Sequence, residues 1–201
     1  MRDTTRDVKC LRVHAAHFEG LFASDPDPWG YERLWTEEAK RRAVRGLIGG
    51  RPVGRLLEIG CGSGSSSAAL ARWALRLDAI DGSANAVARA RRRTDLGARV
   101  RIDRARLPGG LPKGPYDAVV AVEMLYYLPR PTLRMTLREI GTVLRSKGRI
   151  IVGASLRPFG DRDISHLGLF EELEGAFGRP LREVGGGAWR LAAYEVATRQ
   201  H

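Results

Sequence analysis

The sequence predicts an α/β protein: a doubly wound, seven-stranded, mostly parallel sheet closed by a C-terminal antiparallel hairpin. Three observations carry this. From Arg55 to Phe177, apolar runs of strand length alternate with stretches of helical periodicity, the pattern of a parallel sheet covered on both faces. The run Leu56-Leu57-Glu58-Ile59 breaks at once into Gly60-Cys61-Gly62-Ser63-Gly64 and the small-residue stretch that follows, which reads as strand, tight turn and helix. Two weaker strand patterns flank Gly185-Gly186-Gly187, as in a hairpin.

Taken in order, residues 1–20 carry Val8, Leu11, Ala15 and Phe18 at helical spacing. Ser24-Asp25-Pro26-Asp27-Pro28-Trp29-Gly30 is turn-rich, with Asp25 and Asp27 as Asx-Pro turn formers. Thr36 to Ile48 reads as a helix with an N-cap at Thr36 and a stop at Gly49-Gly50. Strands are expected at 55–59, 76–81, 98–102, 116–122 and 148–154, and helices between them at 65–74, 83–93 and 131–144. A last helix is expected from Ile164 to Phe177, then strands at 180–184 and 188–197. The expected organisation is a helical lid segment over residues 1–50 packed on a core of residues 51–201, one domain in all.

Bulk properties narrow the function. A chain of 201 residues with 43% hydrophobic and 28% charged residues is ordinary for a globular protein. No apolar run approaches the roughly 20 residues of a membrane span, and the mixed-charge start leads into no apolar signal segment. Cys10 and Cys61 make no disulfide framework, so a cytoplasmic setting is expected. The net charge is +11, and only Lys9, Lys40, Lys113 and Lys147 among the 34 basic residues are lysines. The densest block, Arg89 to Arg106, has no interleaved aromatic, so it lacks a stacking platform for single-stranded nucleic acid. His14 and His17 sit one helical turn apart, but no third ligand accompanies them, and no metal is expected. Oligomeric state is open.

The glycine loop carries the chemistry. Its spacing is G-x-G-x-G, because Ser65 and Ser67 stand where a dinucleotide fingerprint needs its third glycine. Glu58 puts a carboxylate at the strand end, which repels a phosphate and suits a cation. A second strand ends at Asp81, 21 positions after Gly60, the distance at which an acid holds ribose hydroxyls. One acid for a ribose, one beside a positive group and no phosphate site describe S-adenosylmethionine (SAM), with S-adenosylhomocysteine (SAH) as product. Glu58, Gly60, Gly62 and Gly64 complete the E/D-x-G-x-G-x-G motif, and the chain resembles the class I SAM-dependent methyltransferases, whose fold is Rossmann-like. Cys61 reads as a small filler within the loop.

A narrower resemblance covers about residues 17–155. Phe22 to Tyr31, with Trp35 and Lys40 beyond, looks like the entry segment of methyltransferases similar to rhizobial nodulation protein S, as do Asp81-Gly82-Ser83-Ala84-Asn85-Ala86-Val87 and Glu123-Met124-Leu125-Tyr126-Tyr127-Leu128. That resemblance implies a small-molecule acceptor and N-methylation of an amine, such as an amino sugar; O-methylation of a hydroxyl or carboxylate is the alternative. A nucleic-acid methyltransferase or a non-catalytic partner with the same fold are further readings. The resemblance also implies that Trp29, Glu58, Gly60, Cys61, Gly62, Gly64, Asp81, Gly82, Ser83, Ala105, Arg106 and Glu123 surround the cofactor. One departure stands out. Relatives read A-D-L-P where this chain reads Ala105-Arg106-Leu107-Pro108, so the acid that holds adenine is Arg106 here. Either the Ala105 backbone and apolar packing hold the base, or Asp103 reaches in; strand alternation places Asp103 on the opposite face.

The strand 116–122 ends at Glu123, so Glu123, Tyr126 and Tyr127 are expected at the mouth of the site. Glu123 is a candidate base or a partner for a cationic substrate, and the tyrosines are candidates for cation–π contact with the sulfonium, one of them as core. Trp29 and Trp35 are candidates for a lid that excludes water, and His17 for a base.

Overall fold

The computed structural model describes residues 16–25, 27–31, 35–93, 95–157 and 164–197; the backbone of Trp35 and Thr36 is included, but not their side chains. Residues 1–15 of the helix expected over 1–20, with Cys10 and His14, lie outside the described residues, as do the Trp35 side chain and the Thr36 cap.

The helical residues 16–24 form α1. Then come α2 (Trp35–Ile48), β1 (Val53–Ile59), α3 (Ser65–Leu70), β2 (Ala74–Asp81), α4 (Ala84–Arg91), β3 (Val100–Arg104) and β4 (Tyr116–Val122). The order continues through α5 (Arg130–Val143), β5 (Leu144–Ser155), α6 (His166–Phe177), β6 (Arg182–Gly186) and β7 (Trp189–Glu195). The sheet order is β3-β2-β1-β4-β5-β7-β6. β1 to β5 run parallel, and β7 lies antiparallel between β5 and β6. The fold is therefore the expected Rossmann-like one. The order reverses between β1 and β4, so their C-terminal ends flank the crevice where such sheets bind ligands.

Strand alternation divides the core between the two faces. Leu56, Leu77, Ala118, Val120 and Ile151 face Val44, Leu47 and Ile48 of α2 and Leu70 of α3. Leu57, Val119, Ile150 and Val152 face Leu133, Leu137 and Ile140 of α5 and Leu169, Phe170 and Leu173 of α6. α4 packs Val87 and Ala90 on Ala79 and Ile102.

Several boundaries differ from the sequence reading. The helix expected over 65–74 stops at Leu70, and a 3-10 turn, Ala71–Trp73, leads into β2. The Arg45 guanidinium lies 3.7 Å from the Trp73 ring centre and fixes that turn. β5 starts at Leu144 rather than at 148, because Arg145, Ser146 and Lys147 are exposed and hide the strand from any apolar pattern. β3 runs two residues later than expected, since its register is set by pairing with β2 up to Asp81↔Arg104. The hairpin turns at Gly187 and Ala188, while Gly185 and Gly186 belong to β6.

Candidate active site

A cavity of about 910 Å³ opens at the C-terminal ends of β1, β2 and β4, roofed by α1 and the segment after it. Its floor is the glycine loop. Gly60 and Gly62 have φ of 79° and 52°, which L side chains rarely adopt. A Cβ on Gly60 would stand 2.7 Å from Met124 Cγ, and one on Gly62 3.2 Å from Phe22 Cζ. The loop thus lets the backbone pass close under whatever fills the cavity. Gly64 caps α3 with φ of 86° and packs against Arg93 and Ala90. Cys61 is buried in the loop; its thiol only contacts Gly62 O and is pushed up by burial, as a filler should be.

Two acids flank the loop. Glu58 is 3% exposed and accepts a hydrogen bond from the Ser67 hydroxyl. Burial pushes it up to about 7; Ser67 and the Arg41 charge pull it down, and Asp81 adds to the rise. Asp81 accepts Gly62 N–H at 2.9 Å on one oxygen and Ser83 N–H at 2.9 Å on the other. Burial raises it too, against those backbone amides. Gly82 and Ser83 continue the wall, and Ser83 caps α4 by accepting from Ala86 N–H.

Ala105, Arg106 and Leu107 line the far end. The Ala105 N–H donates to Asp81 O at 3.0 Å, so it is not free to hold a base. Asp103 pairs with Arg91 and Arg101 away from the cavity, as alternation requires. The Arg106 side chain is exposed at the rim.

At the mouth, Glu123 has φ of 58°, an uncommon backbone state for a non-glycine residue. Its carboxylate is engaged on every side. One oxygen faces Lys40 Nζ at 2.9 Å; the other accepts the Tyr126 hydroxyl at 2.6 Å and Ser155 N–H at 2.8 Å. With three donors already on it, the carboxylate is spent on holding the mouth, which disfavours it as the base. Tyr126 is buried in the core, and burial with the Glu123 charge raises its phenol far above the usual range. Tyr127 lines the cavity instead, edge-on to Phe18 at 4.8 Å. Trp29 joins the same cluster, stacked on Tyr31 at 5.6 Å and edge-on to Phe22 at 5.5 Å. Phe18 and Phe22 share the inward face of α1; His17, one residue off that face, is exposed and does not line the cavity.

Sequence reasoning missed Glu19, Glu37 and Arg41 and gave Lys40 no role. Lys40 is 7% exposed, and its ammonium also meets Glu37 at 2.5 Å. Arg41 donates to Tyr31 O at 2.8 Å and Ser65 Oγ at 2.7 Å, while its Nε is buried without a partner among the described residues. The arginine block is largely spent on the protein itself: Arg89 on Phe22 O, Arg91 on Ile102 O and Asp103, Arg93 on Asp95, Arg104 on Gly82 O. Among the described residues no helix is long and apolar enough to cross a membrane.

Comparison with known proteins agrees with this geometry. Residues 56–148 match the methyltransferase-domain family. Nodulation protein S of Azorhizobium caulinodans is 32% identical over 153 residues, covering 74% of this chain and 73% of that protein. The fold superposes on the N-methyltransferase NodS of Bradyrhizobium japonicum in complex with SAH, with a TM-score of 0.77, 23% identity and coverage of 90% and 97% of the two chains. It also superposes on the DhpI–SAH complex, with a TM-score of 0.75, 18% identity and coverage of 94% and 98%. The fold, the complete glycine motif and these likenesses define a class I SAM-dependent methyltransferase. Within that class the chain belongs to the nodulation protein S family.

Proposed function

We propose that this protein transfers a methyl group from SAM to the amine of a small molecule. The carrying observation is the cavity's inner wall. Its side chains that are not exposed carry Glu19, Asp27, Glu37, Glu58, Asp81 and Glu123 against Lys40 and Arg41, while Glu38, Arg42, Arg45, Arg72, Arg104 and Arg106 are exposed, in a chain whose overall balance is +11. An acidic pocket in a basic protein selects a cation rather than a phosphate or carboxylate.

The residues present fit SAM. Asp81 would hold the ribose hydroxyls, and the Gly60 to Gly64 loop would let the backbone pass beneath them. Buried Glu58 answers the amino-acid ammonium, and the unpartnered Arg41 Nε its carboxylate. Gly82, Ser83 and Leu107 would hold the adenine, with Arg106 at the rim. When bound, SAM supplies an electrophilic methyl group on a sulfonium, and no metal is needed for its transfer.

The chain's own task is positioning and desolvation. Nucleophile and methyl must be held about 3–3.5 Å apart and in line. Phe18, Phe22, Trp29, Tyr31 and Tyr127 close the cavity from above and exclude water. Lone-pair attack requires a neutral amine, and an apolar roof disfavours the ammonium. Glu123, locked by its donors, shapes the mouth rather than taking the proton, and Tyr126 acts through it.

Calorimetry with SAH on the wild type and Asp81→Ala tests the site. Binding by the wild type, weakened about tenfold or more in the variant, is the expected result. A wild type that does not bind SAH sinks the assignment.

A further inference from the structure

Between α2 and α3 the cavity runs out into a basic arm. Arg41 and Arg45 stand one helical turn apart on α2 and face α3 and the turn after it. Arg41 donates to Ser65 Oγ at 2.7 Å, and the Arg45 guanidinium lies 3.7 Å from the Trp73 ring centre. Arg72 and Ser66 line the same arm. Arg89, Arg91, Arg93 and Arg104 are spent on the protein itself. Arg45 and Arg72 are not: among the described residues neither guanidinium makes a hydrogen bond or an ion pair, and the Ser66 hydroxyl makes none either. Glu38, the acid on this rim, is taken by Arg42 at 2.9 Å, and Asp95, which feels the Arg72 charge, is held by Arg93. A guanidinium seated on an indole is fixed in place while its N–H edge stays free for an oxyanion.

We propose that this arm binds a phosphate group of the acceptor, which carries its amine at one end and a phosphate ester at the other. Arg45 and Arg72 supply the charge, and Ser66 a hydroxyl donor. The length follows from α2. Glu37, on the acidic wall, precedes Arg45 by eight residues, about 12 Å along the helix axis. The acidic wall takes the amine and repels a phosphate; the basic arm takes the phosphate and repels an amine. The two fields thus set the acceptor in one direction, with the nitrogen towards the methyl group. The proposal deepens the amine reading above and rests on it.

Aminoalkyl phosphates of increasing length, each against the amino alcohol of the same length, test it in two ways: with SAM, read as SAH formed, and with SAH in place, read as binding by calorimetry. At low ionic strength the phosphate should raise kcat/KM about tenfold in chains that span roughly 12 Å, and hardly at all in 2-aminoethyl phosphate. The gain should shrink in about 0.5 M salt. R72Q and R45Q should each remove about threefold or more of it, while the amino alcohols keep their turnover and SAH its affinity within about twofold. Arg45 also fixes the turn before β2, so R72Q decides if R45Q fails to fold. Equal kcat/KM for phosphate and alcohol at every length overturns the inference and leaves the amine reading standing. A tenfold loss of SAH affinity in R72Q overturns it too, since the arm would then serve the cofactor's carboxylate. Inorganic phosphate binding as tightly as the aminoalkyl phosphates would make the arm a free-anion site, again against the proposal. Phosphates that bind through Arg72 but are never methylated sink the amine reading and the end-to-end acceptor with it. A wild type without SAH binding overturns the site beneath both.

Discussion

Glu58 carries a burial cost that Ser67 and the Arg41 charge offset only in part. Its carboxyl is 3% exposed and raised to about 7 by burial, so near neutral pH the ligand-free protein holds a proton there that the unfolded chain has released. The sign follows: the native state binds more protons than the unfolded state between the usual carboxylate range and about 7, so this residue's support for stability falls as pH rises across that window. A cationic ammonium needs the ionised form. SAH affinity should therefore rise with pH up to about 7 and level off above it, and E58Q should bind weakly without that dependence. Calorimetry across that window checks the first, and melting curves of ligand-free protein check the second; an affinity flat with pH in the wild type would remove Glu58 from the ligand. Arg106 offers an independent test at the other end of the cavity. Arg106→Asp restores an acid beside the base, and an exposed charge-assisted hydrogen bond there should tighten SAH about three- to tenfold. Unchanged affinity would show that the loop does not reach the adenine.

Between α1 and α4 the contacts are reciprocal. Glu19 of α1 accepts Ala84 N–H at 2.8 Å and Asn85 N–H at 3.2 Å, and so satisfies donors in the first turn of α4. In return Arg89 of α4 donates to Phe22 O at 2.9 Å and Ala23 O at 3.3 Å at the end of α1. Against burial, which works the other way, a hydrogen bond from the Ser83 side chain, the Ala84 and Asn85 amides and the Arg104 charge hold Glu19 below the usual carboxylate range. Each helix caps the other, and α4 follows the Asp81 loop directly, so the roof is clasped to the ribose end of the cavity. Glu19→Ala removes a cap of the kind that stabilises a helix by about 0.5–2 kcal/mol. SAH should then dissociate roughly three- to thirtyfold faster, with Arg89→Ala less than additive in the double variant; stopped-flow displacement of SAH reads both. The clasp also shows what the sequence could and could not reveal. Glu58, the glycines and Asp81 stand on adjacent parallel strands and the loop between them, so their spacing alone announces a site. Glu19, Lys40 and Arg41 reach partners 65, 83 and 24 residues away. No local periodicity marks such a charge as inward-facing, and on a helical wheel they read as solvated surface.

At the scale of the molecule, the question is whether residues 1–50 form a separable lid. α2 argues that they do not. Val44, Leu47 and Ile48 are 4%, 2% and 5% exposed and pack on Leu56, Ile151 and Leu191 across the sheet. Burying three aliphatic side chains stabilises by about 1.5–3 kcal/mol each, together on the scale of the 5–15 kcal/mol that typically holds a domain folded. Arg149 adds to the seam by donating to Leu47 O and Ile48 O at 3.3 Å. By contrast, among the described residues α1 and the aromatic segment after it meet the rest of the chain around the cavity, through Phe18, Phe22, Trp29, Tyr31 on Arg41 and the α4 clasp. Two truncations separate these roles. Residues 51–201 alone should lack a cooperative thermal transition, since one face of β1, β5 and β7 is stripped. Residues 32–201 should still melt cooperatively while losing about tenfold or more in SAH affinity, because α2 stays and the roof is gone. Cooperative unfolding of the shorter piece would place the domain boundary at residue 50; full SAH affinity in the longer one would mean that the roof serves the acceptor alone.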